Sequence, residues 1–382
     1  MATTLRTWSG LISALLAGSD LTAVDTGWAM DQVVLGDASP AQISGFLIAL
    51  RAKGETADEL AGLASVLRSH ATPVRIDGPF VDIVGTGGDR TGAVNVSTMA
   101  AVVAASTGVT VVKHGGRAAS SSAGGSADLV EHLGVPLGLS AADATRVAAD
   151  VGLTYLFAPR FNPALHQVAV VRRELAVPTA FNVLAPLLNP ADPQHQLVGV
   201  ANPRMLPVLA HALAQHGKSA LVARGDDGLD KLTTTGLSRL WVVSGGSARS
   251  HVFDPRALGL RPSTLAELRG GDAAFNARVL RGLVDGEHGP VRDVVLLNAA
   301  AALATLHLED GQLLEQLADC LERCRQAVDN GSAAATLERW SNHSLAVTDE
   351  LAHLGSVHAV SPPAGSVGHR DVRAMGAGPA VL

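Results

Sequence analysis

The stretch 82–128 constrains the fold more than any other part of the chain. It runs from an apolar strand through a glycine loop and a small-residue helix to a second apolar strand. The segment 81–84 is short and apolar, as buried parallel strands are, and Gly85, Gly87 and Gly88 follow it. Glycines let the backbone turn tightly and present its N–H groups to an anion. The pattern predicts a strand–helix–strand unit of an α/β fold.

Polar residues precede the helix of this unit. Asn95, Ser97 and Thr98 are residues typical of helix caps, and the alanine- and valine-rich segment 99–107 follows them. The start of a helix carries unpaired N–H groups and a partial positive charge. This position is therefore a natural seat for a phosphate.

The second strand, at 109–112, brings Lys113 and His114 to the same carboxyl edge of the sheet, where such sheets bind ligands. Together with the glycines and hydroxyls, the lysine predicts a polyphosphate site. For Gly-Thr-Gly-Gly-Asp alone, an ordinary glycine-rich connection is the alternative. A dinucleotide site does not match, because Arg90 stands where its third glycine belongs and Lys113 where its acid belongs. A Walker loop does not match either, because no Gly-Lys-Ser or Gly-Lys-Thr follows.

Further motifs follow in order along the chain. They are Gly-Thr-Gly-Gly-Asp at 85–89, Asn-Val-Ser-Thr at 95–98, Lys-His-Gly at 113–115, Arg-Arg-Glu-Leu at 172–175, Phe-Asn at 181–182, Pro-Leu-Leu-Asn-Pro at 186–190 and Gly-Asp-Asp-Gly-Leu-Asp at 225–230. This series resembles that of the anthranilate phosphoribosyltransferases, which join anthranilate to phosphoribosyl pyrophosphate in tryptophan biosynthesis. The resemblance runs from about Trp8 to about Trp340.

The resemblance implies a binding site for phosphoribosyl pyrophosphate and its metal. The implied residues are Gly85, Thr86, Gly87, Gly88, Asp89, Asn95, Ser97, Thr98, Lys113 and Ser121. Mg²⁺ is the implied cofactor, and Ser97 and Asp230 are its implied ligands, since Mg²⁺ favours hard oxygen atoms. No catalytic nucleophile is expected, because positioning and electrostatics supply most of the rate in such a transfer.

The resemblance also implies a pocket for an aromatic acid, the second substrate. Arg172 matches the family arginine that grips the carboxylate of anthranilate, as a planar guanidinium does bidentately. The alternative is a surface ion pair with Glu174. His114, Gly116 and Asn162 are the other implied acceptor residues, and capping of the strand end is the alternative role of His114.

The chain departs from the family pattern mostly on the acceptor side. Gly116 replaces an asparagine, Asn162 replaces a histidine and Ala185 replaces a glycine, and the loop 113–128 looks one residue longer. Near the metal, Lys231 replaces a glutamate, which weakens a second Mg²⁺ site. These changes leave two alternatives to anthranilate transfer: another aromatic acid as acceptor, and a weakened homologue that only binds a ligand or a partner. A third alternative, a pyrimidine nucleoside phosphorylase, shares the architecture that the resemblance implies, but the segment 172–189 argues against it.

Two domains and a tail are expected. The pattern of residues 1–72 predicts four helices without a sheet partner, and hence a small helical subdomain. The resemblance implies that helices around 165–188 join this subdomain and that it forms the interface of a homodimer. Residues 78–345 predict an α/β domain with a mainly parallel sheet flanked by helices, with strands at 81–84, 109–112, 154–157, 196–200, 219–223 and 240–243. The glycine- and proline-containing segment 346–382 predicts a flexible tail.

Composition narrows the partners. With 47% hydrophobic and 17% charged residues and a net charge of −6, the 382-residue chain fits a globular enzyme and gives no reason to expect nucleic acid or a membrane surface as partner. Cys320 and Cys324 stand four apart, where a disulfide is geometrically awkward, so a reduced pair is expected. No secretory signal or bilayer-spanning segment is recognisable, and a cytoplasmic location is expected.

Overall fold

The computed structural model describes residues 6–117, 125–309 and 311–357, with side chains up to 348. The helices of these ranges are α1 (Trp8–Leu16), α2 (Ala23–Val34), α3 (Pro40–Lys53), α4 (Ala57–Ser69), α5 (Val96–Ser106), α6 (Ser126–His132), α7 (Ala141–Val151), α8 (Ala158–Phe161), α9 (His166–Leu175), α10 (Met205–Gln215), α11 (Ala273–Val284), α12 (Pro290–Ala304), α13 (Leu313–Asp329) and α14 (Ser332–Val357). Short 3₁₀ turns occupy Pro163–Leu165, Ala180–Asn182, Ala185–Leu187, Pro255–Leu258 and Thr305–His307.

One sheet forms the centre of the described chain. Its strands are β1 (Phe80–Gly85), β2 (Thr110–Gly115), β3 (Leu153–Phe157), β4 (His195–Gly199), β5 (Ser219–Gly225), β6 (Ser238–Ser244) and β7 (Ser247–Phe253). The spatial order is β3-β2-β1-β4-β5-β6-β7, parallel from β3 to β5 and antiparallel from β5 to β7. The strand order reverses beside β1, and in such sheets ligands bind outside the carboxyl ends of the strands at that point. The mainly parallel sheet predicted from the sequence is confirmed.

Alternate residues of each strand face two different hydrophobic cores, because side chains point to opposite faces with a period of two. Leu197 of β4 belongs to the core under α5, α7, α12 and α13. Its neighbour Val198 belongs to the core shared with α1–α4, α9 and α10. The N-terminal helices are therefore packed onto one sheet face together with the segment that includes Val168 and Leu184.

The capping signals of the N-terminal helices are confirmed. The hydroxyl of Ser39 accepts the N–H of Gln42 and the amide oxygen of Gln42 accepts the N–H of Ser39, and Thr56 and Glu59 form the same reciprocal pair. Gly54 ends α3 with a φ of +95°, a conformation that favours glycine.

Two expectations need correction. β7 was not expected, because its residues Ser247–Phe253 are mostly exposed and polar and lack the apolar run of the inner strands. The helix α14 continues to Val357, past residue 345, where a tail was expected to begin. The rest of the expected tail, residues 358–382, lies outside the described residues. Among the described residues, no helix is both long and apolar enough to span a membrane.

Candidate active site

The glycine loop leaves the end of β1 with two residues in the left-handed region. Gly87 has a φ of +67° and Gly88 a φ of +81°, and both are exposed. The N–H of Gly87 donates to Oδ2 of Asp230 over 2.9 Å. Arg90, at the end of the loop, also has a positive φ of 57°, which costs energy for a residue with a side chain. The loop is therefore a strained backbone turn held by a carboxylate.

The segment of Asp230 approaches the two central strands more closely than a side chain would allow. A Cβ atom on Gly85 would lie 2.5 Å from Oδ2 of Asp230, and one on Gly199 would lie 1.6 Å from its carbonyl oxygen. At Gly199 the clash would be with backbone, so this position requires glycine, whereas at Gly85 the carboxylate of Asp230 would have to move. The absence of these two side chains is what lets the loop after β5 close over the carboxyl ends of β1 and β4.

Lys231 bridges the two acidic residues of this region. Its ammonium lies 2.9 Å from Oδ2 of Asp89 and 2.5 Å from Oδ1 of Asp230, and its side chain is 13% exposed. Burial by itself would raise the pKa of Asp89, but Lys231 outweighs burial and holds the pKa below its ordinary value. For Asp230 burial dominates, and its pKa is raised. The three side chains form one connected ion cluster at the edge of the glycine loop.

The start of α5 faces the same edge. Asn95 occupies the cap position, but its side chain makes no cap bond and instead accepts the Nδ2–H of Asn276 over 2.8 Å. The hydroxyl of Ser97 lies 3.2 Å from Nζ of Lys113. Thr98 is fully buried. The cap residues were thus placed correctly at the helix start, although Asn95 is oriented by a residue of α11 and not by its own helix.

Lys113 lies inside β2 and not just after it, as the sequence suggested. Its buried ammonium donates to the carbonyl oxygen of Ile83 over 2.5 Å. Behind it, the fully buried Asp82 accepts the N–H of His114 over 3.3 Å and the Nδ2–H of Asn189 over 3.0 Å. Burial lowers the pKa of Lys113 although Asp82 and Asp230 oppose this, and burial raises the pKa of Asp82 against the opposing effect of Lys113.

His114 and Asn162 meet in the interior. Nε2 of His114 lies 3.3 Å from Nδ2 of Asn162, and Nδ2 also donates to the carbonyl oxygen of Leu188 over 3.4 Å. Both side chains are at most 2% exposed. Burial lowers the pKa of His114 to about 4, so its imidazole is neutral at neutral pH. Oδ1 of Asn162 is buried without a hydrogen-bond partner in the described structure, so it keeps an unused acceptor.

Arg172 lies on α9 with its guanidinium carbon 5.4 Å from the ring centroid of Phe181. Burial lowers its pKa. Within the described ranges no acidic side chain pairs with it, so the surface ion pair with Glu174 is wrong. A half-buried guanidinium stacked on an aromatic ring keeps its N–H fork available for an anion.

Gly116 directly follows β2. A Cβ atom built there would meet no atom of the described residues within 4 Å, whereas one on Gly115 would lie 2.6 Å from the hydroxyl of Ser126. The carbonyl oxygen of Gly116 accepts the N–H of Ala127 over 3.3 Å. A side chain at this position would therefore meet no described neighbour.

Comparison with known proteins identifies the family. Residues 77–334 match the model of the glycosyl transferase family, a/b domain, and residues 9–71 match that of its helical bundle domain. An anthranilate phosphoribosyltransferase of Arthrobacter sp. (strain FB24) is 54% identical over 88% of this chain and 95% of its own length. The chain belongs to the anthranilate phosphoribosyltransferase family.

Solved structures of this family have the same fold. The anthranilate phosphoribosyltransferase of Thermus thermophilus superimposes with a TM-score of 0.81 at 38% identity, covering 87% of this chain and 99% of that one. The Saccharomyces cerevisiae enzyme, solved in complex with PRPP and Mg, gives a TM-score of 0.80 at 26% identity and covers 90% of this chain and 99% of that one. The helical region and the α/β domain thus occur together in anthranilate phosphoribosyltransferases.

The structure gathers most of the residues predicted for phosphoribosyl pyrophosphate. Gly87, Asp89 and Asp230 share hydrogen bonds, and Ser97 and Lys113 are joined at the neighbouring helix start. Ser121 lies outside the described residues. On the acceptor side His114 and Asn162 are in contact, but no hydrogen bond or ring contact of the described chain joins Arg172 to them.

Sequence reasoning missed the buried residues whose hydrogen bonds fix the positions of the site residues. Asp82 and Asn189 connect β1, β2 and the segment after Leu188, and Asn276 orients Asn95. One signal was available: an aspartate in the apolar run Val81–Val84 is buried and needs partners. Its partners come from distant positions that sequence spacing does not relate.

Proposed function

We propose that this protein transfers the phosphoribosyl group of phosphoribosyl pyrophosphate to the amine of anthranilate and releases pyrophosphate. The main observation in its favour is the Lys113 ammonium, which lies 3.2 Å from the hydroxyl of Ser97 at the start of α5. The turn at Gly87 and Gly88, which precedes this helix, is exposed. Buried cations and helix-start N–H groups suit a leaving pyrophosphate. The relatives named above act on the same substrate.

The reaction exchanges one bond at ribose C1. The bond from C1 to the pyrophosphate oxygen breaks, the electron pair leaves with the pyrophosphate, and the anthranilate nitrogen forms the new bond and then releases a proton. The protein supplies orientation and charge and no covalent nucleophile.

The donor substrate binds against the glycine loop and the start of α5. The proposed contacts are those of Gly85, Thr86, Gly87, Gly88, Asp89, Asn95, Ser97, Thr98, Lys113 and Ser121. The ammonium of Lys113 is held in place by its hydrogen bond to the carbonyl oxygen of Ile83 and lies near Asp82, which Asn189 holds in turn. Its position is therefore fixed before the substrate arrives. Fixed charges stabilise a leaving anion without the cost of reorganisation.

Mg²⁺ is the proposed cofactor, and it supplies positive charge to the pyrophosphate oxygens. The yeast relative was solved with PRPP and Mg. Of the two predicted ligands, the hydroxyl of Ser97 fits the role, because Ser97 is partly exposed at the start of α5. Asp230 fits less well, because its two oxygens already accept bonds from Gly87 and Lys231. Among the described side chains, no group of three or more acidic, histidine or cysteine residues is arranged to hold a metal.

The acceptor lies at Arg172, His114, Gly116 and Asn162. The free guanidinium fork of Arg172 suits the carboxylate of anthranilate. The yeast enzyme was also solved with 4-fluoroanthranilate, at a TM-score of 0.78 and 25% identity. The open space at Gly116 favours one second candidate, transfer to a larger or differently substituted aromatic acid.

The experiment is a release assay for pyrophosphate with anthranilate and a series of substituted benzoates. Turnover with anthranilate and weaker turnover with the others supports the first candidate, and the reverse order supports the second. No pyrophosphate release with any acceptor contradicts both. The alternative of a homologue that only binds its ligand predicts a thermal shift with phosphoribosyl pyrophosphate but no release.

A matched pair of serines locates the donor site. Ser97→Ala removes a hydroxyl at the start of α5, and a hydrogen bond to a charged group contributes about 1.5–3 kcal/mol, roughly a 10- to 150-fold rise in KM for phosphoribosyl pyrophosphate. Ser106→Ala removes a hydroxyl at the other end of α5, where it donates to the carbonyl oxygen of Val103. An equal effect of both variants would place the donor elsewhere.

We also infer that the protein is a cytoplasmic homodimer. Several large apolar side chains of the helical region and α9 are at least 39% exposed: Leu16, Val24, Leu35, Ile48 and Val170. Such residues favour contact with a second copy. The two cysteines are free and buried, consistent with a reducing compartment.

A further inference from the structure

The acidic pair beside the glycine loop is already neutralised by a residue of the chain. Asp89 comes from the loop after β1 and Asp230 from the segment after β5, and Lys231 donates to a carboxylate oxygen of each. The three side chains are between 10% and 16% exposed. Carboxylates this close and this buried repel each other unless a cation lies between them.

Every oxygen of the two carboxylates has a partner. Oδ1 of Asp89 accepts the N–H and the hydroxyl of Thr91, each over 3.1 Å, and Oδ2 accepts Lys231 and, over 3.3 Å, the N–H of Asp230. Oδ1 of Asp230 accepts Lys231, and Oδ2 accepts the N–H of Gly87. A metal ion bound directly to both would have to displace the ammonium and break backbone contacts of the loop.

Lys231 also differs from a metal in what it offers a ligand. An ammonium has three donors, of which two are used here, so one N–H remains. It is a compact point charge that stays with the chain when the substrate leaves. A divalent ion would add its charge only when bound, and the fixed ammonium would repel it over a few ångströms.

We propose that Lys231 is the permanent counter-ion of Asp89 and Asp230, so that this pair binds no divalent metal. The ammonium of Lys231 supplies the positive charge that a bound metal would bring to the loop. One consequence rests on the proposed function: the Mg²⁺ of the reaction arrives bound to the phosphates of phosphoribosyl pyrophosphate, one ion per substrate.

The test uses Mn²⁺ as the probe and the full chain without substrate, with free Mn²⁺ measured by electron paramagnetic resonance. Wild type and Lys231→Arg should bind no Mn²⁺ at this pair, because both keep the positive charge. Lys231→Met should gain one Mn²⁺ per chain, at least tenfold tighter than any site of the wild type. Adding Asp89→Asn to Lys231→Met should remove that ion.

Two outcomes would overturn the proposal. One is a wild-type protein that binds one Mn²⁺ per chain and loses it in Asp89→Asn. The other is a Lys231→Met protein that unfolds cooperatively, as the wild type does, but gains no ion. If Lys231→Met does not fold, Lys231→Gln replaces it, and the wild-type titration alone decides whether the pair holds a metal.

A second arm separates this proposal from the proposed function. With phosphoribosyl pyrophosphate added, wild type should bind one Mn²⁺ per bound substrate and Lys231→Met two. Two ions per substrate in the wild type would overturn the consequence drawn above. Failure to bind phosphoribosyl pyrophosphate at all would count against the proposed function, whereas the substrate-free titration would still stand.

Discussion

At the scale of single residues, the site depends on charges placed where water does not reach them. Lys113 and Asp82 are at most 2% exposed and compensate each other across β1 and β2. Arg172 is the contrasting case, a partly buried guanidinium that stacks on Phe181 but has no acid to neutralise it among the described residues. A charge left without a partner costs desolvation energy, and a ligand of opposite charge recovers it.

Arg172→Gln should weaken the binding of the acceptor substrate and leave the binding of the donor substrate unchanged. The variant removes the bidentate fork for a carboxylate, a loss of about 1.5–3 kcal/mol, so kcat/KM for anthranilate should fall roughly 10- to 150-fold. Steady-state kinetics with each substrate varied in turn measures this. Arg173→Gln, at the exposed neighbouring position, is the control and should change neither value. A rise in KM confined to phosphoribosyl pyrophosphate would contradict the assignment.

His114 should make the protein less stable in acid. Its native pKa of about 4 lies below the ordinary value of 6.5, because burial disfavours the charged ring. Between these values the unfolded chain binds more protons than the native chain, so the free energy of unfolding falls as pH falls from 6.5 towards 4. This contribution is at most about 1.4 kcal/mol per pH unit.

Urea unfolding of wild type and His114→Gln at pH 4.5, 5.5, 6.5 and 7.5 isolates this contribution. The buried Asp82, whose raised pKa gives the opposite slope, is present in both proteins and cancels. The stability of the wild type relative to the variant should therefore decrease on acidification. A difference that stays constant over the range would show that His114 does not titrate as its burial requires.

At the scale of elements, the glycine loop combines a left-handed backbone conformation with the proposed contact to the donor substrate. Gly87 and Gly88 have left-handed φ values, and a Cβ atom on either would meet no described atom within 4 Å. Among the described residues, the cost of a substitution there therefore comes from backbone strain. The loop is fixed from the other side by Asp230 and Lys231, which belong to a different strand connection.

Gly88→Ala should separate that strain from function. An alanine at φ +81° costs about 1–2 kcal/mol and shifts the loop amides. Gly217→Ala is the matched control, with a φ of +65° and equally open space between α10 and β5. Both variants should lose similar stability in thermal unfolding, and only Gly88→Ala should lose affinity for phosphoribosyl pyrophosphate. Equal losses of affinity would show that the loop does not contact the donor.

At the scale of the whole molecule, the helical region and the α/β domain are not independent bodies. One hydrophobic core includes Leu47 of α3, Leu184 of the segment after α9 and Val222 of β5. Motion of the helical region therefore costs buried apolar area, which stabilises by roughly 25 cal/mol per Å². The apolar side chains left exposed on this region form the interface of the proposed homodimer.

Sedimentation equilibrium should give the mass of a dimer. Val170→Glu, at a 52% exposed position on α9, should shift the population towards the monomer, since a buried unpaired charge opposes association. Val252→Glu, at a 57% exposed position on β7, is the control and should leave the dimer intact. A wild-type monomer at micromolar concentration would contradict the homodimer.

Local patterns in the sequence were enough to predict the fold class and the convergence of Lys113 with Ser97 at the start of α5. Alternating strands and helices, cap residues and left-handed glycines are set by interactions between residues close in the chain, so they can be read without the fold. This is why the strand–glycine loop–helix unit, the capping boxes of α3 and α4 and the converging Lys113 and Ser97 were predicted correctly.

Which charges neutralise each other became known only from contacts between residues far apart in the chain. Lys231 meets Asp89 across 142 positions of sequence, and Asn189 meets Asp82 across 107. The edge strand β7 was likewise not predicted. It is a strand because it pairs with β6, and its own composition does not indicate one. Ion pairing and strand pairing depend on distance in space, and the spacing of residues along the chain does not encode that distance.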